Sequence, residues 1–315
     1  MWNIEHMERE RHLMIETLIG ALLPVVFTVL FGYFSGSIGS FKKDFPSKLN
    51  KLVMSYALPL SLFFSINQMN RELIFKNWNI AIWQFCGMIF WWLVVYLFSR
   101  YVLHSGPIVS PIRAMAISTP AILFVGPALL LPLYQKTGTI AVSIGGVMMN
   151  VVMLPLTAIV LSVNDKREDG HRHLSVFQTL WSGLKKPVVF SALLGLLTSL
   201  IGMHLPAIFS ATFNELGKAA AGGGLFSIGL ILYFNKPSFS KAVWGNVFMT
   251  EVVVPLSLFA ALVISGQAKQ FVDQTTLTFM ISQMIFPSIF AQQYGEGQRE
   301  MASSIFLTTW IEVNI

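Results

Sequence analysis

The sequence has very little charge, and this scarcity excludes most soluble folds. Asp, Glu, Lys and Arg make up only 11% of the 315 residues, whereas apolar residues make up 54%. The mean hydropathy is +0.65, which is typical of helices that face lipid or lie buried in a bundle. The formal net charge of +6 requires no nucleic-acid partner, because anionic headgroups of membrane lipids attract basic loops. We therefore predict an integral membrane protein.

Cysteine and catalytic motifs are scarce too. Cys86 is the only cysteine, which excludes an internal disulfide and a cysteine-based metal cluster. The six histidines form no HExxH pair, no GxSxG motif is present, and all four aspartates fall in predicted loops. The sequence therefore predicts no enzyme activity, no metal site and no cofactor.

Long hydrophobic runs, in contrast, are abundant. A crossing of the hydrocarbon core needs about 20 apolar residues, and polar turns divide this chain into ten such runs. We predict an all-α polytopic membrane protein. Its spans are Leu18–Phe34, Leu49–Ile66, Ile80–Tyr101, Ser110–Tyr134, Thr139–Val163, Pro187–Met203, Leu216–Phe234, Val243–Ile264, Thr275–Gln292 and Met301–Ile315.

Basic residues concentrate on one side of these spans. Fourteen of the 21 Lys and Arg follow the odd-numbered spans or lie in the long loop after the fifth. Short cytoplasmic loops collect positive charge, so we expect the amino terminus outside. No cleavage signature precedes the first span, which we expect to be retained. The predicted location is the cytoplasmic (inner) cell membrane.

Five spans on each side of a polar linker predict two repeats that insert with opposite orientations. The predicted units are a first five-helix repeat over 1–163, a cytoplasmic linker over 164–186 and a second five-helix repeat over 187–315. The last span, Met301–Ile315, is short for a crossing.

Two spans in corresponding places, the fourth of each repeat, are interrupted near a proline. The fourth is interrupted at Ser118-Thr119-Pro120 and the ninth around Ser282 to Ser288. Unwound backbone persists in a membrane only where it is buried in protein or lines a wet cavity, and paired interruptions indicate the substrate site of a secondary transporter. The alternative is that each proline only kinks its helix.

The polar groups at these breaks are the candidate substrate ligands, because hydroxyls, an amide and half-helix amino termini suit a carboxylate. Asn150 of the fifth span joins them as a candidate, with an interhelical hydrogen bond as its alternative role. The predicted substrate-binding residues are Ser118, Thr119, Pro120, Asn150, Ser282, Gln283, Pro287 and Ser288.

One acid falls inside a predicted span. An intramembrane carboxylate is costly unless it is paired or neutral, so Glu251 is a functional candidate. It could carry a coupling proton, help to hold a cation such as sodium, or form a neutral hydrogen bond to a neighbouring helix. Glu215 and Lys218 lie three residues apart on the seventh span and are predicted to pair as an interfacial anchor.

Several stretches together resemble a known family. In chain order they are Gly32-Tyr33, Ala57-Leu58-Pro59 with Leu62-Phe63, Pro120 with Gly126-Pro127, Lys185-Lys186-Pro187, Gly229-Leu230-Ile231-Leu232, Ala291 and Tyr294-Gly295. Their order and spacing over nearly the whole chain resemble the auxin efflux carrier family of bacterial and plant transporters, and within it bacterial malonate transporters and malate permeases.

The resemblance implies a ten-helix inverted repeat in which the broken fourth and ninth helices cross. It also implies a small carboxylate substrate at that crossing, an elevator-type movement and a homodimer. Three positions depart from the pattern: Ala121 where many members carry Asn, Ser282 in place of a proline, and Glu251 close to where malonate carriers tend to carry Lys. The expected function is secondary transport of malonate, malate or a similar anion, and the alternative is a membrane-embedded ligand sensor without transport.

Overall fold

The computed structural model describes residues 20, 23–24, 26–68, 76–123, 125–164, 185, 187–203 and 205–314. All regular secondary structure within these ranges is helical, so the predicted all-α fold is confirmed for the part of the chain that the structure describes. Nearly all of the predicted linker over 164–186 and the start of the first predicted span lie outside the described residues.

The helices follow the predicted spans closely. The first six are α1 Val26–Ser37, α2 Phe45–Asn67, α3 Trp78–Val102, α4 Val109–Ser118, α5 over 126–134 and α6 Thr137–Asn164. The other six are α7 Pro187–Ile201, α8 Ser210–Asn235, α9 Lys241–Ile264, α10 Lys269–Phe279, α11 Phe286–Tyr294 and α12 Gln298–Asn314. Gln135, with φ 47°, separates α5 from α6.

Five of the described helices are long and apolar enough to cross a membrane, namely α2, α3, α6, α8 and α9. Helices α1 and α7 are apolar but shorter. A multi-pass membrane protein is therefore supported, whereas the count of ten spans and the inverted repeat stay predictions.

Three prolines lie inside long helices without breaking them. Pro59 of α2, Pro155 of α6 and Pro255 of α9 each follow a π-helical turn, over Val53–Ala57, Met149–Met153 and Met249–Val253. A proline ring clashes with the preceding helical turn and removes one backbone donor. A π turn widens the helix at that point and accommodates the ring.

Helices α1, α2, α7 and α8 pack together through close backbone contacts. A Cβ at Gly229 of α8 would overlap the carbonyl oxygen of Val29 in α1, and one at Gly195 of α7 would lie 2.8 Å from that of Phe63 in α2. Glycine allows such close approach between membrane helices. These four helices form one group, and the two broken segments pack beside it with α3, α6, α9 and α12.

Candidate functional site

The interruption of the fourth segment follows from Pro120. The residue before a proline is driven out of the helical region, and Thr119 is extended, with φ −119° and ψ 103°. Helix α4 ends at Ser118 and α5 begins at Gly126. The break therefore covers the predicted Thr119 and Pro120 and continues to residue 125.

The interruption of the ninth segment lies earlier than predicted. Helix α10 ends at Phe279 and α11 begins at Phe286, so the unwound backbone is 280–285. Pro287 lies in the first turn of α11, where its missing N–H costs nothing, and Ser288 is already helical. The prediction that these two residues belong to the unwound part is wrong, because proline starts a helix here and does not break one.

The two breaks lie side by side. Pro120 and Gln283 form an isolated antiparallel β bridge, and the Ala121 N–H donates to the carbonyl oxygen of Ser282 at 2.9 Å. Four half-helix ends, those of α4, α5, α10 and α11, therefore come together. The amino termini of α5 and α11 carry partial positive charge, which favours a bound anion.

A cavity of about 520 Å³ lies between the breaks and the group of α2 and α8. Leu123 from the fourth break, Met284 from the ninth break and Phe286 at the start of α11 form one wall. The polar lining consists of Ser61 and Ser65 of α2, Asn150 of α6 and Lys218 of α8. The volume is ample for a small organic anion with water.

Lys218 is the one charged residue among the described residues that line this cavity. Its Nζ lies 2.7 Å from Oε1 of Glu215, and both side chains are largely exposed. The predicted ion pair is thus present, but it borders the cavity. Sequence reasoning missed Ser61 and Ser65, although a spacing of four residues places both hydroxyls on one face of α2.

Most of the predicted ligands lie in the protein interior. Ser118, Thr119, Ser282 and Gln283 are at most 2% exposed, and of the eight predicted residues only Asn150 belongs to the described cavity lining. These four residues therefore shape the crossing and its backbone dipoles, while the cavity-facing polar groups come from other helices.

Gln283 illustrates this role. Its Nε2 donates to Thr250 Oγ1 at 2.8 Å, and its Oε1 accepts from the Ser304 hydroxyl at 2.7 Å. Its backbone N–H points to Thr308 Oγ1 at 3.4 Å. The amide thus joins the ninth break to α9 and α12.

A second acid lies near Glu251. Glu251 is in the π turn of α9, and its Oε1 is buried without a hydrogen-bond partner among the described residues. Glu312 of α12 accepts the backbone N–H of Ser282 at 3.3 Å and interacts electrostatically with Glu251. The sequence analysis does not single out Glu312, although an acid inside a predicted span is itself a signal.

Helix α12 presents a polar stripe to both breaks. Glu300, Ser304, Thr308 and Glu312 recur every four residues, a spacing that forms one ridge of a helix. The last three contact the ninth break through Gln283 and Ser282. The stripe was visible in the sequence as a polar period of four.

Glu300 extends the stripe to the fourth segment. It accepts from Arg113 of α4 at 2.8 and 3.0 Å, and Arg113 also donates to the hydroxyls of Ser99 and Ser105. Asn246 of α9 donates to Glu300 at 2.9 Å. Arg113 falls within the predicted fourth span, and its side chain is buried inside this network.

Comparison with known proteins agrees with this architecture. A family profile described as membrane transport protein matches residues 17–313. The proteins named uncharacterized transporter YfdV from Escherichia coli strain K12 and from Shigella flexneri are each 33% identical over 252 residues. Those residues cover 78% of this chain and 78% of each relative. The family predicted from the sequence is therefore confirmed: the chain belongs to the membrane transport proteins of the auxin efflux carrier family.

Proposed function

We propose that the protein is a secondary transporter of a small organic anion such as malonate or malate, bound where the broken helices meet. The observation that carries this proposal is the antiparallel contact of the two breaks beside the 520 Å³ cavity. Half-helix amino termini favour negative charge at this point.

Lys218 supplies the positive charge that a carboxylate needs. In the structure the ammonium group of Lys218 donates a hydrogen bond to Glu215. A substrate carboxylate can replace Glu215 at little cost in free energy, because an ion pair exposed to water is weak. Asn150, Ser61 and Ser65 then serve as neutral hydrogen-bond donors around the anion.

Glu251 is the proposed site of the coupling ion. Glu312 joins this site because it interacts electrostatically with Glu251. Two carboxylates that repel each other in a low-dielectric interior are relieved by a shared proton or by a bound sodium ion. Glu312 contacts the backbone of the ninth break, so the charge of this pair acts directly on the break. Substrate and ion thus both act on the unwound segment 280–285, the substrate beside Met284 and the ion through Ser282.

An elevator-type movement is supported by the polar groups buried at the interface between the two helix groups. Asn50 of α2, Ser227 of α8, and Ser288 and Gln292 of α11 have buried side-chain atoms without a hydrogen-bond partner among the described residues. Each such group costs about 1–3 kcal/mol. A second state in which this interface opens to water relieves that cost.

These four residues lie toward the end of the bundle with Lys42, Lys43, Lys48 and Lys51, while the cavity lies further along α2. With the amino terminus outside, as we propose, the cavity faces the outside and the sealed interface faces the cytoplasm.

Cysteines placed singly at Ser37 and at Gln267, in a Cys86→Ser background, test the orientation by labelling with an impermeant maleimide in intact cells. In the proposed orientation the maleimide labels Gln267→Cys and not Ser37→Cys. Labelling of Ser37→Cys alone would mean that the orientation in the membrane is the reverse of the proposed one.

Uptake of radiolabelled malonate and malate into proteoliposomes tests the function. We expect saturable uptake driven by an imposed proton or sodium gradient. Substrate binding without uptake, measured by calorimetry on the same preparation, would favour a ligand sensor instead. The same preparation, analysed by native mass spectrometry, tests the proposed homodimer.

Lys218→Gln is the sharpest test of the site. We expect the KM for the anion to rise about tenfold, in line with the loss of one charge-assisted contact, with an unchanged melting temperature because the side chain is exposed. Lys269→Gln, an exposed lysine at the same end of the bundle, is the matched control. If Lys218→Gln and Lys269→Gln had equal KM values, Lys218 would not be part of the substrate site.

Glu251→Gln and Glu312→Gln test the coupling hypothesis. Glutamine keeps the shape and can still accept the Ser282 N–H, but it cannot exchange a proton. We expect gradient-driven uptake to fall at least tenfold, while exchange of labelled for unlabelled substrate continues. If gradient-driven uptake persisted in both variants, coupling would lie elsewhere.

A further inference from the structure

A second large cavity, of about 580 Å³, lies between α3 and α9 and is separate from the substrate cavity. Its walls include Val94, Phe98 and Leu103 on one side and Gly245 and Met249 on the other. Phe98 and Leu103 are about half exposed, so the cavity opens sideways toward the bilayer. It shares none of its described lining residues with the substrate cavity.

Two cations, Lys241 and Arg113, lie in the lining of this cavity. Arg113 is already engaged by Glu300, Ser99 and Ser105. Lys241 is exposed at the start of α9 and forms no ion pair among the described residues. The nearby acid Glu300 is paired with Arg113, so these two charges cancel. The charge of Lys241 is not cancelled, and this end of the cavity is therefore positive.

We propose that this lateral cavity binds an anionic phospholipid, with the headgroup phosphate on Lys241 and an acyl chain between α3 and α9. Basic pockets between membrane helices on the cytoplasmic side are known to hold anionic headgroups. The apolar walls match an acyl chain and would leave a small hydrophilic anion without partners. This site is independent of the transported substrate.

The lipid contacts the helices that hold both breaks. Arg113 of α4 lies in the cavity wall, and Asn246 of α9, also in the wall, donates to Glu300 of α12. A phosphate at Lys241 therefore lies next to the network that anchors α4 to α12. Bound lipid is expected to raise the melting temperature by adding contacts to the folded state only.

Two substitutions isolate the site. Lys241→Gln removes the free cation, with Lys51→Gln, an exposed lysine at the same end of the bundle, as the matched charge control. Gly245→Leu fills the cavity, since a Cβ at Gly245 meets no atom within 4 Å. Gly245→Ala controls for the change in helix propensity without filling the space.

The experiment is native mass spectrometry of the delipidated protein titrated with phosphatidylglycerol and, separately, phosphatidylcholine. We expect phosphatidylglycerol to bind more tightly than phosphatidylcholine, and Lys241→Gln to weaken it about fivefold, as one basic residue near a lipid surface does. Gly245→Leu should abolish the tight site, while Lys51→Gln and Gly245→Ala retain it. Melting curves with each lipid verify that all four variants fold.

Three results would overturn the proposal. These are equal binding of the two lipids, an equal loss in Lys241→Gln and Lys51→Gln, or tight phosphatidylglycerol binding that survives Gly245→Leu in a folded protein. The same titration is also carried out with inorganic phosphate in place of lipid. Competition by phosphate alone at the same concentration would show that the cavity takes a free anion and no acyl chain.

Discussion

The two breaks lie against each other, yet they are held in different ways. Among its described residues, the fourth break has one side-chain hydrogen bond of its own, between Ser118 Oγ and Thr119 Oγ1 at 3.4 Å. The ninth is bonded through Gln283 and Ser282 to α9 and α12. Unwound backbone in a membrane needs protein partners, and the fourth break obtains them from the ninth, through the bridge of Pro120 and Ala121.

Helix α12 supports both breaks, but at different levels. Glu300, at its beginning, holds the start of α4 through Arg113, whereas Ser304, Thr308 and Glu312 hold the ninth break itself. The fourth segment is therefore anchored by an ion pair one to two turns away from its break, and the ninth by hydrogen bonds at the break itself, two with neutral hydroxyl groups and one with the acid Glu312. Substitutions can separate these two kinds of anchor.

The largest effect is expected from Arg113→Met. This change leaves the partly buried Glu300 without its cation, and breaking such a pair costs about 3 kcal/mol of unfolding free energy, the lower end of the range for buried pairs. The double variant Arg113→Met with Glu300→Met should recover most of that loss, because it removes both charges. Denaturant unfolding of purified protein in lipid micelles measures both.

Arg299→Gln is the control, because Arg299 is exposed and donates to one carbonyl oxygen at the surface. It should change the unfolding free energy by less than about 0.5 kcal/mol. A single variant Arg113→Met as stable as this control would mean that α4 is held by packing alone.

Gln283→Ala is expected to come second. It leaves the hydroxyls of Thr250 and Ser304 without their partner, and each unsatisfied buried group costs about 1–3 kcal/mol. The exposed Gln293, on the adjoining helix α11, provides the control Gln293→Ala. Thermal unfolding measures the difference, and identical melting temperatures would show that the Gln283 amide does not anchor the ninth break.

The sequence predicted the fourth break because the effect of Pro120 on its helix is local, whereas Pro287, which was predicted to mark the ninth break, starts α11. Pro59, Pro155 and Pro255 are absorbed by π turns, whereas Pro120 ends α4. The difference at Pro120 is the neighbouring strand-like segment around Gln283, which supplies backbone partners. Partners that are distant in sequence do not appear in a local pattern.

The site was predictable in part for the same reason. The two interruptions are visible in the sequence, and Asn150 lies in the cavity lining, while its role in substrate binding stays a prediction. Lys218, Ser61 and Ser65 come from α8 and α2, and their position depends on how the two helix groups pack. Glu312 was within reach, because the four-residue polar period of α12 predicts a stripe that faces protein and not lipid.

The smallest effect is expected from Ser118→Ala, which completes the comparison of the two breaks. The long contact between the Ser118 and Thr119 hydroxyls is weak, so its loss should cost less than about 1 kcal/mol. Measured under the same conditions as Gln283→Ala, it tests whether the fourth break holds itself. A loss as large as that of Gln283→Ala would mean that the fourth break is anchored by its own side chains, and the dependence of one break on the other would then be wrong.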